Sequence, residues 1–125
     1  RSKSDRQYAL SSREDAIWLF DFHGRSVARF DAPGCPMLGH ARGVPVLIKP
    51  GAPEYLAALV ELRNWDRSIL YVYDPKGSIV YQEVLPEACA SIAAIPLDNS
   101  GAESILVGGK GQVWQYKVIG SGGSR

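Results

Sequence analysis

The chain predicts an all-β fold of antiparallel four-stranded meanders, with about ten strands, on three observations. The first is a repeat. Ile17-Trp18-Leu19-Phe20-Asp21-Phe22-His23-Gly24 returns as Leu70-Tyr71-Val72-Tyr73-Asp74-Pro75-Lys76-Gly77, with the Asp and the Gly each displaced by 53 positions. A strand, a tight Asp-x-x-Gly turn and a returning strand make a hairpin, and a hairpin buries its apolar face only against a neighbour of its own kind. A period near 50 belongs to repeated blades rather than to one undivided core. The second observation is composition: 13 Gly and 8 Pro punctuate short runs of Val, Ile, Tyr, Trp and Phe, which favours strands and turns over helices. The third is alternation, with Leu70 and Val72 interleaved between Tyr71 and Tyr73, the period of a strand with two distinct faces.

Taken in order, strands are expected at residues 8–11, 16–22 and 26–31, with a turn at His23-Gly24 and a stop at Pro33-Gly34. Within residues 37–48, Gly39, Gly43 and Pro45 interrupt the apolar pattern, which predicts a bulged or split strand. Lys49-Pro50-Gly51-Ala52-Pro53 is a turn. Strands at 55–62, 68–73 and 78–85 then complete one four-stranded meander, with a loop at Arg63-Asn64-Trp65-Asp66 between the first two. Strands at 91–96, 104–108 and 112–118 follow, joined by turns at Asp98-Asn99-Ser100-Gly101 and Lys110-Gly111. Residues 86–95 also carry helix signals: Pro86 at a first position, Glu87 in a first turn, and four alanines. A strand is preferred there because the repeat needs one between residue 85 and Ile105-Leu106-Val107, and alanines relieve crowding where innermost strands converge. The tally is three strands before Gly34, four up to Pro86 and three after it. The corresponding pieces are residues 8–34, 35–86 and 87–119, with 120–125 a flexible Gly/Ser tail outside the fold.

Charge and motif content narrow the function classes. Fourteen basic and 13 acidic residues are interspersed, apart from a mildly basic start at Arg1, Lys3 and Arg6. No basic stripe forms, so no nucleic-acid partner is expected. No apolar run is long enough to cross a bilayer as a helix, so no membrane insertion is expected; the compartment is left open. Cys35 and Cys89 are 54 residues apart, equivalent places in successive blades. They could lie close enough to bridge, but packing as small buried thiols is the preferred reading. No Cys-x-x-Cys or His/Cys cluster offers a metal site. His23 aligns with the turn residue Lys76, and Cys35 with His40 makes a lone Cys-x4-His without a third group to orient a base. Gly108-Gly109-Lys110-Gly111 has the look of a phosphate cradle, yet it leads into a strand rather than a helix, so a hairpin turn is expected. No catalytic residue, metal ligand or cofactor is predicted.

The run 96–109, Pro96-Leu97-Asp98-Asn99-Ser100-Gly101-Ala102-Glu103-Ser104-Ile105-Leu106-Val107-Gly108-Gly109, followed by Gly111-Gln112-Val113-Trp114-Gln115-Tyr116, resembles β-propeller repeats of the FG-GAP and pyrroloquinoline-quinone (quinoprotein-like) types. In those families a strand leads into an Asp-rich loop, an apolar strand ending in Val-Gly, and an aromatic strand. Residues 70–82 resemble their outer hairpin, and the likeness covers most of residues 8–118. It implies a partial β-propeller of about two to three blades, short of the roughly four that a closed ring needs. In calcium-binding FG-GAP loops, oxygen ligands alternate. The matching segment here offers only Asp98 and Glu103 as strong ligands, with Pro96 where a first ligand would stand. A hard cation needs six to eight oxygens, so the loop is read as a hairpin turn and calcium as irrelevant.

Three tryptophans complete the reading. Trp18 and Trp114 occupy the same hairpin strand of different blades, each two residues before an aromatic (Phe20, Tyr116), and are expected in the core between sheets. Trp65 lies in a polar loop between Arg63 and Arg67, the residue set of interaction hot spots; the alternative is that it folds back to cap its own hairpin. The function this supports is a non-catalytic binding or scaffold module with Trp65, Arg63 and Arg67 as binding residues. Its partner would be another protein or further copies of the chain, or it would serve as part of a larger propeller. Competing readings are a blade segment of a quinoprotein-like oxidoreductase, which would need polar groups where Ser91-Ile92-Ala93-Ala94-Ile95 is apolar, and a glycan-binding propeller using exposed aromatics such as Trp65.

Overall fold

The computed structural model describes residues 9–13, 15–21, 23–35 and 40–118, the first of these segments as backbone only. The tail at 120–125, the basic start and residues 37–39 of the interrupted strand lie outside the described residues. Among the described residues, ten strands fall into three antiparallel sheets. The first sheet is β1 (Ala9–Arg13), β2 (Ala16–Phe20) and β3 (Ser26–Asp31). The middle sheet is β4 (His40–Val46), β5 (Tyr55–Leu62), β6 (Arg67–Tyr73) and β7 (Ile79–Leu85). The last is β8 (Ser91–Pro96), β9 (Glu103–Gly108) and β10 (Val113–Tyr116). Each sheet is a plain up-and-down meander in chain order. β4 lies against β1 on one side and against β8 on the other.

The Asp-x-x-Gly repeat is one turn built twice. Asp21 Oδ1 accepts the N–H groups of His23 (2.8 Å) and Arg25 (3.0 Å), and Asp74 Oδ1 accepts those of Lys76 and Ser78 (both 2.9 Å). The N–H of Gly24 donates to Asp21 O at 3.0 Å and that of Gly77 to Asp74 O at 2.9 Å. Both glycines have positive φ, 82° and 90°, where a side chain is strained. A register shift sits just before each turn, between Leu19 and Phe20 and between Val72 and Tyr73.

The middle sheet is covered on both faces. Alternate residues of β5 and β6 point to opposite sides. Ala57, Leu59, Leu70 and Val72 enter a core shared with Ile105 and Val107 of the last sheet. Ala58, Val60, Ile69, Tyr71 and Tyr73 enter a second core shared with Ile17 of the first sheet. Cys35 belongs to one core and Cys89 to the other. The bridging alternative is corrected, because neither is in a disulfide and the middle sheet separates them.

Two expectations are overturned. β4 is a single strand in unbroken register with β5, from His40 opposite Glu61 to Val46 opposite Tyr55. Gly43 and Pro45 are tolerated without a bulge because, among the described residues, β4 has a ladder on one side only and a missing N–H can face its open edge. Trp18 is not between two sheets: Ile17 faces the middle sheet, so Trp18 points the other way, half-buried under the Arg29 guanidinium 5.7 Å from its ring centroid. Trp114 does pack against the shared core. The helix alternative at 86–95 is not adopted, since Ser91–Pro96 pairs along its length with β9 and directs Ile92 and Ala94 into the core.

Gly77→Val is expected to lower stability by about 1–3 kcal/mol, while Lys76→Ala in the same turn leaves the thermal midpoint near wild type. A Cβ at Gly77 would meet only Phe30 at 3.8 Å, so the loss reads backbone strain rather than a clash. An unchanged midpoint for Gly77→Val contradicts this account of the turn.

Candidate functional site

β5 ends at Leu62 and the chain makes one 3-10 turn, Arg63–Trp65, with no buried residue in it. Asp66 closes the turn in the left-handed region, φ 50°, its N–H donating to Arg63 O at 3.2 Å. Asp is among the few residues that adopt this conformation readily. So short a turn leaves Trp65 53% exposed, standing out of its hairpin rather than capping it.

The two predicted arginines are drawn away from each other. Arg63 Nε donates to Glu61 Oε2 at 3.1 Å, and Arg42 Nη1 of β4 donates to Glu61 Oε1 at 3.0 Å. Arg67 Nη1 instead donates to the carbonyls of Asp66 (2.9 Å) and Pro86 (3.1 Å). Glu61 is only 5% exposed. Burial pushes its carboxyl up, but the hydrogen bonds from Arg63 and Arg42 outweigh that and hold it below the usual range. Asp66 Oδ1 accepts Ala88 N–H and Lys110 Nζ, both at 3.0 Å. The Ala88 N–H first, and Lys110 second, keep its carboxyl below the ordinary value, and Asp66 in turn raises the Lys110 ammonium. The surface around Trp65 is therefore an exposed indole rimmed by cations that are each already matched to a carboxylate or carbonyl.

Further polar contacts escaped the sequence reading. Asp66 ties its turn to the connection after β7 through Ala88, and Asp15, also left-handed at φ 59°, ties its own turn to the connection after β3 by accepting Gly34 N–H at 3.1 Å. Each of these tied residues immediately precedes a buried cysteine, Cys35 or Cys89. An Asp before a strand start was the only signal, and its partner lies 19 or 22 residues away. The Gly-rich turn at 108–111 does hold an anion. Its Lys110 and Gly111 N–H groups donate to the Glu87 carboxylate, while Gly109 N–H pairs with Gln112 O at 2.9 Å to close the hairpin. The cradle is thus filled by the chain itself.

Among the other predicted groups, Asp98 Oδ1 accepts Ser100 N–H at 2.7 Å and Leu97 N–H donates to Ala102 O, so the loop is a turn held by its own carboxylate. Glu103 Oε1 accepts Leu47 N–H at 2.9 Å across the sheets, which points it away from that loop's centre. Cys35 is buried and His40 is exposed, so they do not share a reactive surface. No cluster of three or more metal-ligating side chains occurs among the described residues. A cavity of about 490 Å³ lies between the β4–β5 and β6–β7 turns, lined by Ile48, Lys49, Pro53, Tyr55, Pro75 and Lys76 among others. A smaller one of about 240 Å³ lies beside Tyr81 and Tyr116. Set against family models, curated proteins and solved structures, the chain finds no match in any of the three.

The Glu61 and Asp66 carboxyls are depressed in the folded chain, relative to unfolded values of about 4.3 and 3.9. Their contribution is complete above those values and is lost as pH falls through the lower folded ones. Glu61→Gln is expected to cost about 1–3 kcal/mol at neutral pH and to flatten the acid side of a plot of thermal midpoint against pH. A variant as acid-sensitive as wild type contradicts the Arg42–Glu61–Arg63 assignment. A chelator is expected to leave the midpoint unchanged; a rise of several degrees on adding calcium at a large excess over any dissociation constant contradicts the reading of the 98–101 turn.

Proposed function

We propose that the chain is a non-catalytic binding or scaffold module of β-propeller type, acting through protein contacts either with its own copies or as part of a larger propeller. The observation that carries the reading is the regular stacking of its sheets. Two successive joints repeat the same parts: a left-handed Asp that ties down the connection to the next sheet, a buried Cys beside it, and alternating residues of the middle strands facing both ways. Such a unit extends by adding sheets to its outer sides, since each joint needs only a neighbour of the same kind. Trp65, Arg63 and Arg67 form the contact patch most suited to a different protein, with an exposed aromatic centre and a rim of satisfied charges.

Sedimentation velocity over a concentration series tests this. Association through sheet faces is expected to persist between about 0.15 M and 1 M salt, over which the Debye length falls from about 8 Å to about 3 Å and ion-pair contacts weaken. A chain that stays monomeric at every concentration contradicts the self-assembling form of the proposal, and assembly that dissolves in salt contradicts the face-packing basis.

A further inference from the structure

The middle sheet meets its neighbours through two different faces, and the outer sides of the terminal sheets are the same two faces without a neighbour among the described residues. On the first sheet, Trp18 stands three residues before the turn aspartate Asp21, as Tyr71 stands before Asp74. Arg29 stands five residues after the turn glycine Gly24, as Gln82 does after Gly77. In the covered joint, Tyr71 Oη and Gln82 Nε2 both donate to Pro33 O of the preceding connection, at 2.8 and 3.1 Å. On the uncovered side, Trp18 and Arg29 are cross-strand partners, an aromatic platform carrying N–H donors in the same two places.

The last sheet presents the complementary half. Ile105 and Val107 are buried toward the middle sheet, so Leu106 between them points outward. Trp114 and Tyr116 pack on the same core, so Val113 and Gln115 also point outward, and Val113 is 66% exposed. This is the side that corresponds to Leu59, Leu70 and Val72 of the middle sheet, which the last sheet itself covers. The outer sides are supplied by β2 and β3 at one end and by β9 and β10 at the other, in each case the second and third strands of a three-stranded sheet.

We infer that the Trp18–Arg29 side of one copy docks on the Leu106–Val113 side of a second copy, head to tail, repeating a joint the chain already makes twice within itself. The inference rests on the self-assembling reading above. Pairing like with like is disfavoured, because two Trp18 sides would set N–H donors against N–H donors, the charge of Arg29 being already matched by Asp31 at 2.9 Å, whereas the Leu106 side offers the neutral Gln115 and apolar Leu106 and Val113. A heterologous contact of this kind closes into a ring or grows as a filament.

Complementation of single variants tests it. Trp18→Glu spoils one side and Val113→Arg the other, so each variant alone is expected to sediment as a monomer while an equimolar mixture gives one-to-one dimers that grow no further. If circular dichroism shows Trp18→Glu unfolded, Arg29→Glu takes its place, its side chain being half-exposed at 49%. A wild-type chain that assembles while the mixture stays monomeric, or while either single variant assembles normally, overturns the head-to-tail joint and leaves self-assembly standing. A monomeric wild-type chain overturns both.

Discussion

Everything in this chain depends on the middle sheet being buried on both faces. Seven of the eight residues of β5 are buried, and β6 is buried from Ser68 to Tyr73. A continuous apolar run of this sort belongs to strands with a layer on each side. Here both layers come from the same chain: the first sheet supplies Ile17, Ala32 and Cys35, and the last supplies Ile105 and Val107. Each large apolar side chain so enclosed contributes about 1.5–3 kcal/mol, and β5 and β6 contribute to two cores at once. Neither terminal sheet has that advantage, because among the described residues each shares only one core.

Polar contacts fix how the layers sit without interrupting them. Tyr71 and Tyr73 reach through the apolar core to donate to the carbonyls of Pro33 and Asp31 at 2.8 and 2.7 Å. Burial first, and nearby negative groups second, raise both hydroxyls above their ordinary range, so they stay protonated donors. On the other face, Glu103 pairs with Leu47 through both its backbone N–H, at 2.8 Å, and its carboxylate. Ser68 Oγ accepts Cys89 N–H at 2.6 Å and donates to Glu87 O at 3.0 Å. These bonds give partners to backbone groups of the connections, from tyrosine hydroxyls at one joint and from serine and glutamate side chains at the other.

What was legible in the sequence was local. The bounds of β3, β5 and β8 follow directly from strand-forming runs set between turn residues, and the paired Asp-x-x-Gly turns follow from an aspartate that bonds its own backbone and a glycine that supplies positive φ. The strand tally of three, four and three also follows, because each turn signal is complete within a few residues. What was not legible was set by distant partners. Glu61 reads as a polar residue at a strand end, and only the approach of Arg42 from β4 makes it a buried bridging carboxylate. Pro45 reads as a strand breaker, and only its place on a sheet edge makes it harmless. Trp18 matches Trp114 in position, yet it faces an outer side because no sheet precedes it among the described residues. The Glu87 cradle was hidden for a similar reason: the glycine-rich segment reads as a hairpin turn, and only the approach of Glu87 from the connection after β7 gives its N–H groups a carboxylate to bind.

The same double burial orders the stability of the molecule, since amides open in proportion to the packing and pairing that hold them. Native-state amide hydrogen exchange, followed residue by residue, tests this most directly. The account predicts that the slowest amides lie on β5 and β6, with those of β2 and β3 and of β9 and β10 exchanging through lower-energy openings. Exchange that is uniformly slow across all three sheets, or slowest in a terminal sheet, would contradict it.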